Sequence, residues 1–357
     1  MITGNEILNT RLLHALHLAN QMVNYFARVM KASSSSSFMV TRVLCAAFVV
    51  LFALFSTSCS ESSKSKPQLG SAPVVVQVSI DTTMTHWQDY EVDSRASSAP
   101  LLRCKLQALS SDNRVVATET HVFQPGEKLT TTFNLTLPSG QYSLLAWSDY
   151  VSSSNTNADL HYLTDNLCDI TFTGSYNGND YSRNAYSGVT PIDFKVYQGD
   201  TTTVINSDIS AKSIMGMIKF VANDYNKFLV KPMSLRFLIA YTGFLPHRYS
   251  VLRGVPFDAT TGVSFLTNNM TEISTEGDGS ATLGYDYVMV NGDESSVTVA
   301  IGLYDDDGKL VGSSGNINVP IKRGGITIVS GQFLTKTQSS GGIGIDPSFG
   351  GDINIYY

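Results

Sequence analysis

The chain has 357 residues, with 24 Lys and Arg against 30 Asp and Glu. That acidic balance argues against a nucleic-acid partner and against a polybasic membrane contact. Charged residues are 15% of the chain, below the roughly 25% of ordinary soluble domains; Ser, Thr, Asn, Gly and Tyr take their place, a mix suited to β-structure with polar loops.

In chain order, residues 1–38 read as an over-long leader. It contains Leu12, Leu13, Leu16, Leu18 and Met22, His14 and His17 stand three apart, and serines 33–37 form a low-complexity run that no packed element requires. The natural start is then Met30 or Met39, and the segment is set aside from the fold. Residues 39–58 read as a secretory signal: Arg42, an apolar run from Val43 to Phe55, then Ser56-Thr57-Ser58 before Cys59. The run is about 13 residues, and a bilayer span needs about 20. The end of the signal resembles the lipobox of bacterial lipoproteins, which implies an acylated Cys59, a lipid anchor in the outer membrane and cleavage just before it. Residues 59–73, rich in serine with two prolines, read as a flexible tether.

About 300 residues remain after the signal, enough for two domains. Four basic residues and one acidic residue precede Cys59, so the exported part carries 20 basic against 29 acidic residues. Short runs of β-branched and alternating residues, separated by turn signals, predict an all-β chain of two tandem β-sandwiches, 74–210 and 211–357. In the first, strands are expected at 74–80, 101–109, 114–123, 130–137 and 141–151. A long polar region then covers 152–190, and strands at 194–198 and 201–209 join through a Gly199-Asp200 turn. In the second, strands are expected at 215–224 and 233–241, an irregular stretch at 243–280, and strands at 281–290, 296–305, 309–321 and 325–334. A hairpin turn is expected at Asp307-Gly308, then a glycine-rich tail and a final strand at 352–357. No internal repeat is visible.

Two cysteines remain once Cys45 and Cys59 are set aside. Cys104 alternates with Arg103 and Lys105 on the apolar face of its strand, and Cys168 shares a face with Ile170 and Phe172, so both are expected in the first domain's core. An exported disulfide between them and two separate buried thiols both fit. The exported histidines, His86, His121, His161 and His247, stand apart, with no nucleophile, phosphate or metal motif around them. Asp305-Asp306-Asp307-Gly308 has the look of a calcium loop, but the twelfth position is Asn316 rather than Glu. No catalytic residue, metal or cofactor is expected. Tyr150, Tyr162, Tyr176, Tyr181 and Tyr186 crowd 142–190, where they suit either a glycan-stacking platform or rings buried with wet hydroxyls. Trp147 belongs with the core.

Several stretches resemble the fimbrillin-like surface lipoproteins of Bacteroidetes, in the type V pilin superfamily. These are YSLLAWSDYV (142–151), SRNAYSG (182–188), VPIKRGGITIVSGQFL (319–334) and GGIGIDPSFGGDINI (341–355). The resemblance implies two transthyretin-like (Greek-key) sandwiches on the cell surface or in a fimbrium. It also implies cleavage between Arg95 and Ala96 in the loop after the first strand, and assembly with other pilin subunits or with itself by strand exchange. Ile353, Ile355 and Tyr357 are the candidate donor-strand residues. An ordinary solvated Arg95, and a permanently anchored protein with a host or glycan ligand, stand as the alternatives.

Overall fold

The computed structural model describes residues 68–82, 99–228, 235–267, 279–333 and 352–356. Strands make up most of these, joined by turns, loops and one short α-helix, Tyr225–Phe228. The first half holds β1 (Ser71–Asp81), β2 (Leu101–Ser110), β3 (Val115–Val122), β4 (Thr130–Pro138), β5 (Gly140–Val151), β6 (Tyr162–Leu163), β7 (Ile170–Phe172), β8 (Tyr186–Phe194) and β9 (Ile205–Ser213). The second holds β10 (Met215–Ala222), β11 (Leu235–Tyr241), β12 (Leu245–Ser250), β13 (Val255–Thr260), β14 (Ser264–Leu266) and β15 (Ala281–Met289). It continues through β16 (Glu294–Asp305), β17 (Leu310–Ser313), β18 (Ile317–Lys322), β19 (Ile326–Gly331) and β20 (Asp352–Tyr356). Among the described residues no helix is long and apolar enough to cross a membrane.

In the first half, seven strands run in the order β3-β2-β5-β8-β9-β1-β4. The β8/β9 junction is held by only two residue pairs, Tyr186 with Ser213 and Ser187 with Lys212. Side chains from β2 and β5 on one side (Cys104, Leu106, Leu144, Ala146) and from β1, β4 and β9 on the other (Val74, Val76, Leu135, Ile209) share one buried cluster. The sheet therefore folds on itself into a sandwich-like pair of layers. In the second half, β15-β10-β19-β20 faces β14-β11-β16-β17, with β18 also on β16, and the two enclose Phe220, Phe237, Ile239, Val299, Ile301 and Val319.

A third cluster lies between the halves. β5 is buried on both faces: Leu144 and Ala146 enter the first core, while Leu145 and Trp147 point away from it. The latter pack with Met215, Met217, Tyr287, Met289 and Ile326 of the second half. A small sheet, β13-β12-β7-β6, takes two strands from each half and adds Tyr162, Ile170 and Tyr249 to this cluster. Strand β15 serves two cores through a register shift opposite Phe220/Val221. Leu283 faces the second core and Tyr287 the shared one, the face change that an extra residue in one strand produces.

Several expectations are corrected. The stretch 152–190, read as loop, contains β6, β7 and the start of β8; 243–280, read as irregular, contains β12, β13 and β14. The strand expected at 194–198 is a single bridge, Leu69 with Tyr197. β9 runs to Ser213, through the 210/211 division. The expected single strand at 309–321 is two, β17 and β18, both on β16. The turn at Asp305–Gly308 forms as read: the Gly308 amide donates to the Asp305 carbonyl at 3.0 Å, and Gly308 takes a φ of 75°, which costs glycine nothing.

Candidate functional site

Strand β1 has the most consequential position in the first half. It lies between β9, parallel over eight residue pairs, and β4, antiparallel over nine. Its alternating faces send Ala72, Val74, Val76, Val78 and Ile80 into the core, each at most 7% exposed. Each buried Val or Ile is worth about 1.5–3 kcal/mol. Without β1, the facing edges of β9 and β4 would lose their backbone partners over an apolar slot, a template for an added strand. Arg95 and Ala96, in the segment that follows β1, lie outside the described residues, as does Cys59. At the other end of the chain, β20 pairs antiparallel with β19, from Ser330 opposite Asp352 to Ile326 opposite Tyr356. Ile353 and Ile355 thus sit in a strand at the border of the chain's own second-half sheet; Tyr357 lies outside the described residues.

The tyrosines do not form a platform. Tyr162 and Tyr186 are at most 1% exposed and Tyr150 is buried. The partly buried Tyr176 and Tyr181 pack against the cores instead, Tyr181 edge-on to Tyr150 at 5.7 Å. The stacking reading is corrected: long polar stretches here fold over the sheets and carry their rings inward. Trp147 is fully buried, edge-on to Tyr162 at 5.4 Å.

The disulfide reading is also corrected. Cys104 and Cys168 are free thiols; Cys104 lies in the first core, while Cys168 packs against the shared cluster rather than in that core. Burial pushes the Cys104 thiol up to about 11, so the native thiolate is scarce at neutral pH. Of these two, iodoacetamide at pH 8 should label only Cys168 in folded protein and both in urea, read by peptide mass. Equal labelling of Cys104 before unfolding would contradict this placement.

Two buried ionic networks were not visible in the sequence. On β2, Arg103, Lys105 and Gln107 alternate with the apolar residues, but they do not face solvent; they hold the segment 159–167. Arg103 binds Asp149 across the β2/β5 pair with two hydrogen bonds, Nε to Oδ1 at 2.9 Å and Nη2 to Oδ2 at 2.8 Å. It also meets Asp159 at 2.8 Å. Lys105 Nζ donates to Thr164 Oγ1 at 2.8 Å. Gln107 donates to the Asp165 carbonyl and accepts from the Leu167 amide.

Burial pushes the Asp159 carboxyl up, but hydrogen bonds from Thr164 and Arg103 outweigh it and hold it below its ordinary 3.8. Its contribution to stability is therefore present above 3.8 and lost as pH falls through the lower folded value. The Thr164 amide, which donates to Asp159 Oδ2 at 3.0 Å, should titrate by NMR with a midpoint below 3.8. A midpoint above it would refute the assignment.

The second network joins the halves. Arg183, in a 3-10 turn at Tyr181–Arg183, is 3% exposed and 3.7 Å from Asp286 of β15. Its guanidinium lies 3.6 Å from the Tyr176 ring centroid and donates to the Asn177 carbonyl at 3.0 Å. Asp286 accepts from the Tyr176 and Tyr241 hydroxyls, each at 2.5 Å, and from the Tyr287 amide at 2.9 Å. Burial raises the Asp286 carboxyl against the pull of Arg183.

His161 lies near Ser182 and Asp180, at 2.7 and 3.2 Å, but both contacts use Nε2, and Ser182 itself donates to Asp180. A relay needs the two ring nitrogens on different partners, so this is a hydrogen-bonded cluster. Among the described residues no group of His, Cys, Asp or Glu is placed to hold a metal.

Among solved structures, the chain is similar to a Bacteroides thetaiotaomicron protein of the DUF1812 group, provisionally described as polysaccharide binding. The identity is 15% and the TM-score 0.41, covering 68% of this chain and 79% of that one. It is also similar to the fimbrial anchor protein Mfa2 of Porphyromonas gingivalis, at 11% identity and TM-score 0.40, over 72% and 91% of the two chains. For the tip fimbrial protein Mfa3 of the same organism the identity is 10% and the TM-score 0.39, over 80% and 99%. No curated protein matches the sequence. One family model does match, over residues 70–356, and the chain belongs to that family of unknown function, DUF6562.

Proposed function

We propose that this is an exported cell-surface structural protein, a fimbrillin-like pilus subunit or an accessory or anchor subunit that assembles by β-strand addition. The observation that carries the reading is the place of β1, paired on both sides, buried along one face, and followed directly by the segment with Arg95. Acylated Cys59 would hold the precursor in the outer membrane. Cleavage after Arg95 would free β1 to leave, and a strand of another subunit would take over its pairing with β9 and β4. The strand 352–356 is the donor candidate, because among the described residues it pairs on one side, with β19, at the border of its sheet. Without cleavage, Cys59 remains a permanent anchor and the protein serves as a base or surface module.

Mass spectrometry of the surface protein's N-terminus separates these states: an acylated Cys59 marks the anchored form and a chain beginning at Ala96 the assembled one. Folded protein trimmed at Arg95 in vitro should form strand-exchanged oligomers, and deleting residues 352–357 should abolish them. Trimmed protein that stays monomeric and soluble would overturn the polymer reading.

A further inference from the structure

The two ends of the first half have different neighbours. β1 and β9 run side by side, from Ser71 and Ile205 at one end to Asp81 and Ser213 at the other. The chain passes from β9 straight into β10, so the second half adjoins the Asp81 end. The Ser71 end carries the start of β1, which the sequence reaches from Cys59. On the outer face of the sheet at this end lies an apolar corner, and strand alternation places each of its members. The even-numbered residues of β1 enter the core, so the odd-numbered ones face out, Pro73 among them. Leu69 continues that outward row and stands opposite Tyr197 in an antiparallel bridge, and Tyr197 follows the buried Val196. On β4, Pro138 is the exposed neighbour of buried Leu137 and stands opposite Ser71. On β9 the odd-numbered Ser207 and Ile209 are buried, so Val204, just before the Ile205 that partners Val74, lies on the outer face beside Pro73.

Leu69, Tyr197 and Val204 are 52%, 51% and 48% exposed, and Pro73 and Pro138 are exposed with them. Five apolar side chains thus meet water together on one face, where a sandwich ordinarily turns polar residues outward. The charges around them are nearly balanced. Lys195 is exposed on the same side as Tyr197. Asp200, the acid of the loop between β8 and β9, engages its carboxylate with the amides and hydroxyls of Thr202 and Thr203. What brings a surface to this corner is the chain itself. Ten residues separate Cys59 from Leu69, at most about 36 Å of extended backbone. A lipid on Cys59 therefore keeps this end, and not the end beside the second half, within reach of the bilayer. The contact is then intramolecular, at an effective concentration in the millimolar range for a short linker, so a small apolar area is sufficient. Tyrosine suits such a boundary because its ring is apolar and its hydroxyl stays wet.

We propose that the corner formed by Leu69, Pro73, Pro138, Tyr197 and Val204 rests on the phospholipid bilayer in the anchored protein, with the second half held away from it. The inference rests on the acylated Cys59 of the proposed function and adds a second, non-covalent contact to it. Two of the five residues belong to β1 or lead into it, so loss of β1 after cleavage would remove Leu69 and Pro73 and dismantle the contact together with the anchor.

In the test, the full exported chain carries Cys168→Ser, so that a maleimide reaches Cys59 and not the buried Cys104. It is coupled through Cys59 to maleimide-phosphatidylethanolamine in vesicles of phosphatidylethanolamine and phosphatidylglycerol, and its amide exchange is compared with that of the uncoupled chain in solution. Exchange in peptides covering 68–75 and 195–206 should slow about tenfold on the vesicles, the effect of a contact favoured by about 1.4 kcal/mol, while the turn at 305–310 in the second half is unchanged. The slowing should vanish in the triple variant Leu69→Ser, Tyr197→Ser, Val204→Ser, whose fold circular dichroism checks, and persist in Tyr197→Trp, which keeps an interfacial ring. Equal exchange on and off the vesicles, or slowing retained in the triple variant, would overturn the proposal. So would slowing without vesicles that grows with protein concentration, which would mark a second copy of the chain as the occupant. Because the coupling is chemical, these outcomes do not depend on natural acylation. A free Cys59 in the native protein, read separately by mass spectrometry of its N-terminus, would remove the anchor reading and this proposal with it.

Discussion

Asp286→Ala should destabilise the fold by about 3–5 kcal/mol, the range for removing one partner of a buried ion pair. The substitution leaves the Arg183 guanidinium, 3% exposed, without a counter-charge. It also takes the acceptor from two tyrosine hydroxyls and one backbone amide, each of which then bears an unmet desolvation cost of about 1–3 kcal/mol. Relaxation and water entry recover part of that sum, which keeps the expected total near the ion-pair range. Asp286→Asn retains an oxygen acceptor and should fall between. The midpoint of urea unfolding measures both; a loss under about 0.5 kcal/mol, the size of an ordinary surface change, would show that Asp286 does not bind the halves together. Because Arg183 comes from the first half and Asp286 from the second, the variant should also speed amide exchange in β7 and β12, which pair across the same junction.

Arg103→Ala should cost a similar amount, about 3–5 kcal/mol, because it strands Asp149, whose side chain is fully buried. The informative comparison is the double variant Arg103→Met with Asp149→Leu. Removing both charges and refilling the space should be less damaging than Arg103→Ala alone, since an apolar pair carries no desolvation cost. The remaining deficit would come from Asp159 and Thr164, which lose their Arg103 contacts. A double variant worse than the single one would mean that the salt bridge itself, rather than the penalty for breaking it, stabilises this junction.

Much of the sheet scaffold was legible. TTTFNLTL alternates because it has one buried and one open face, VVVQVSI stands out as an apolar β-branched run, and β1 and β4 form as read. QYSLLAWSDYV was legible as the most apolar strand because both its faces are covered. The missed strands lack a periodic signal. LPHRYS and VPFDAT contain prolines, and β7 has three residues; they are strands because Tyr249 finds Ile170, 79 positions away, and no local pattern carries that pairing.

What covers the polar side of β2 was not legible for a related reason. Alternating Arg103, Lys105 and Gln107 look the same in sequence whether water or another segment covers them, and here 159–167 does. Nor could loop tyrosines announce their burial. The one available signal was context: Asp149 and Arg183 both lie within the stretches that resemble fimbrillin-like proteins.

The parallel pairing of β1 with β9 has a mechanical consequence. Tension applied at the N-terminal end of β1 and at the C-terminal end of β9, where the chain passes into the second half, pulls two parallel neighbours in opposite directions along their shared axis. The eight residue pairs between them, and the nine to β4, would then be loaded together in shear rather than peeled one at a time. A chain held at a membrane and pulled from its far end would resist until the whole ladder gave way at once.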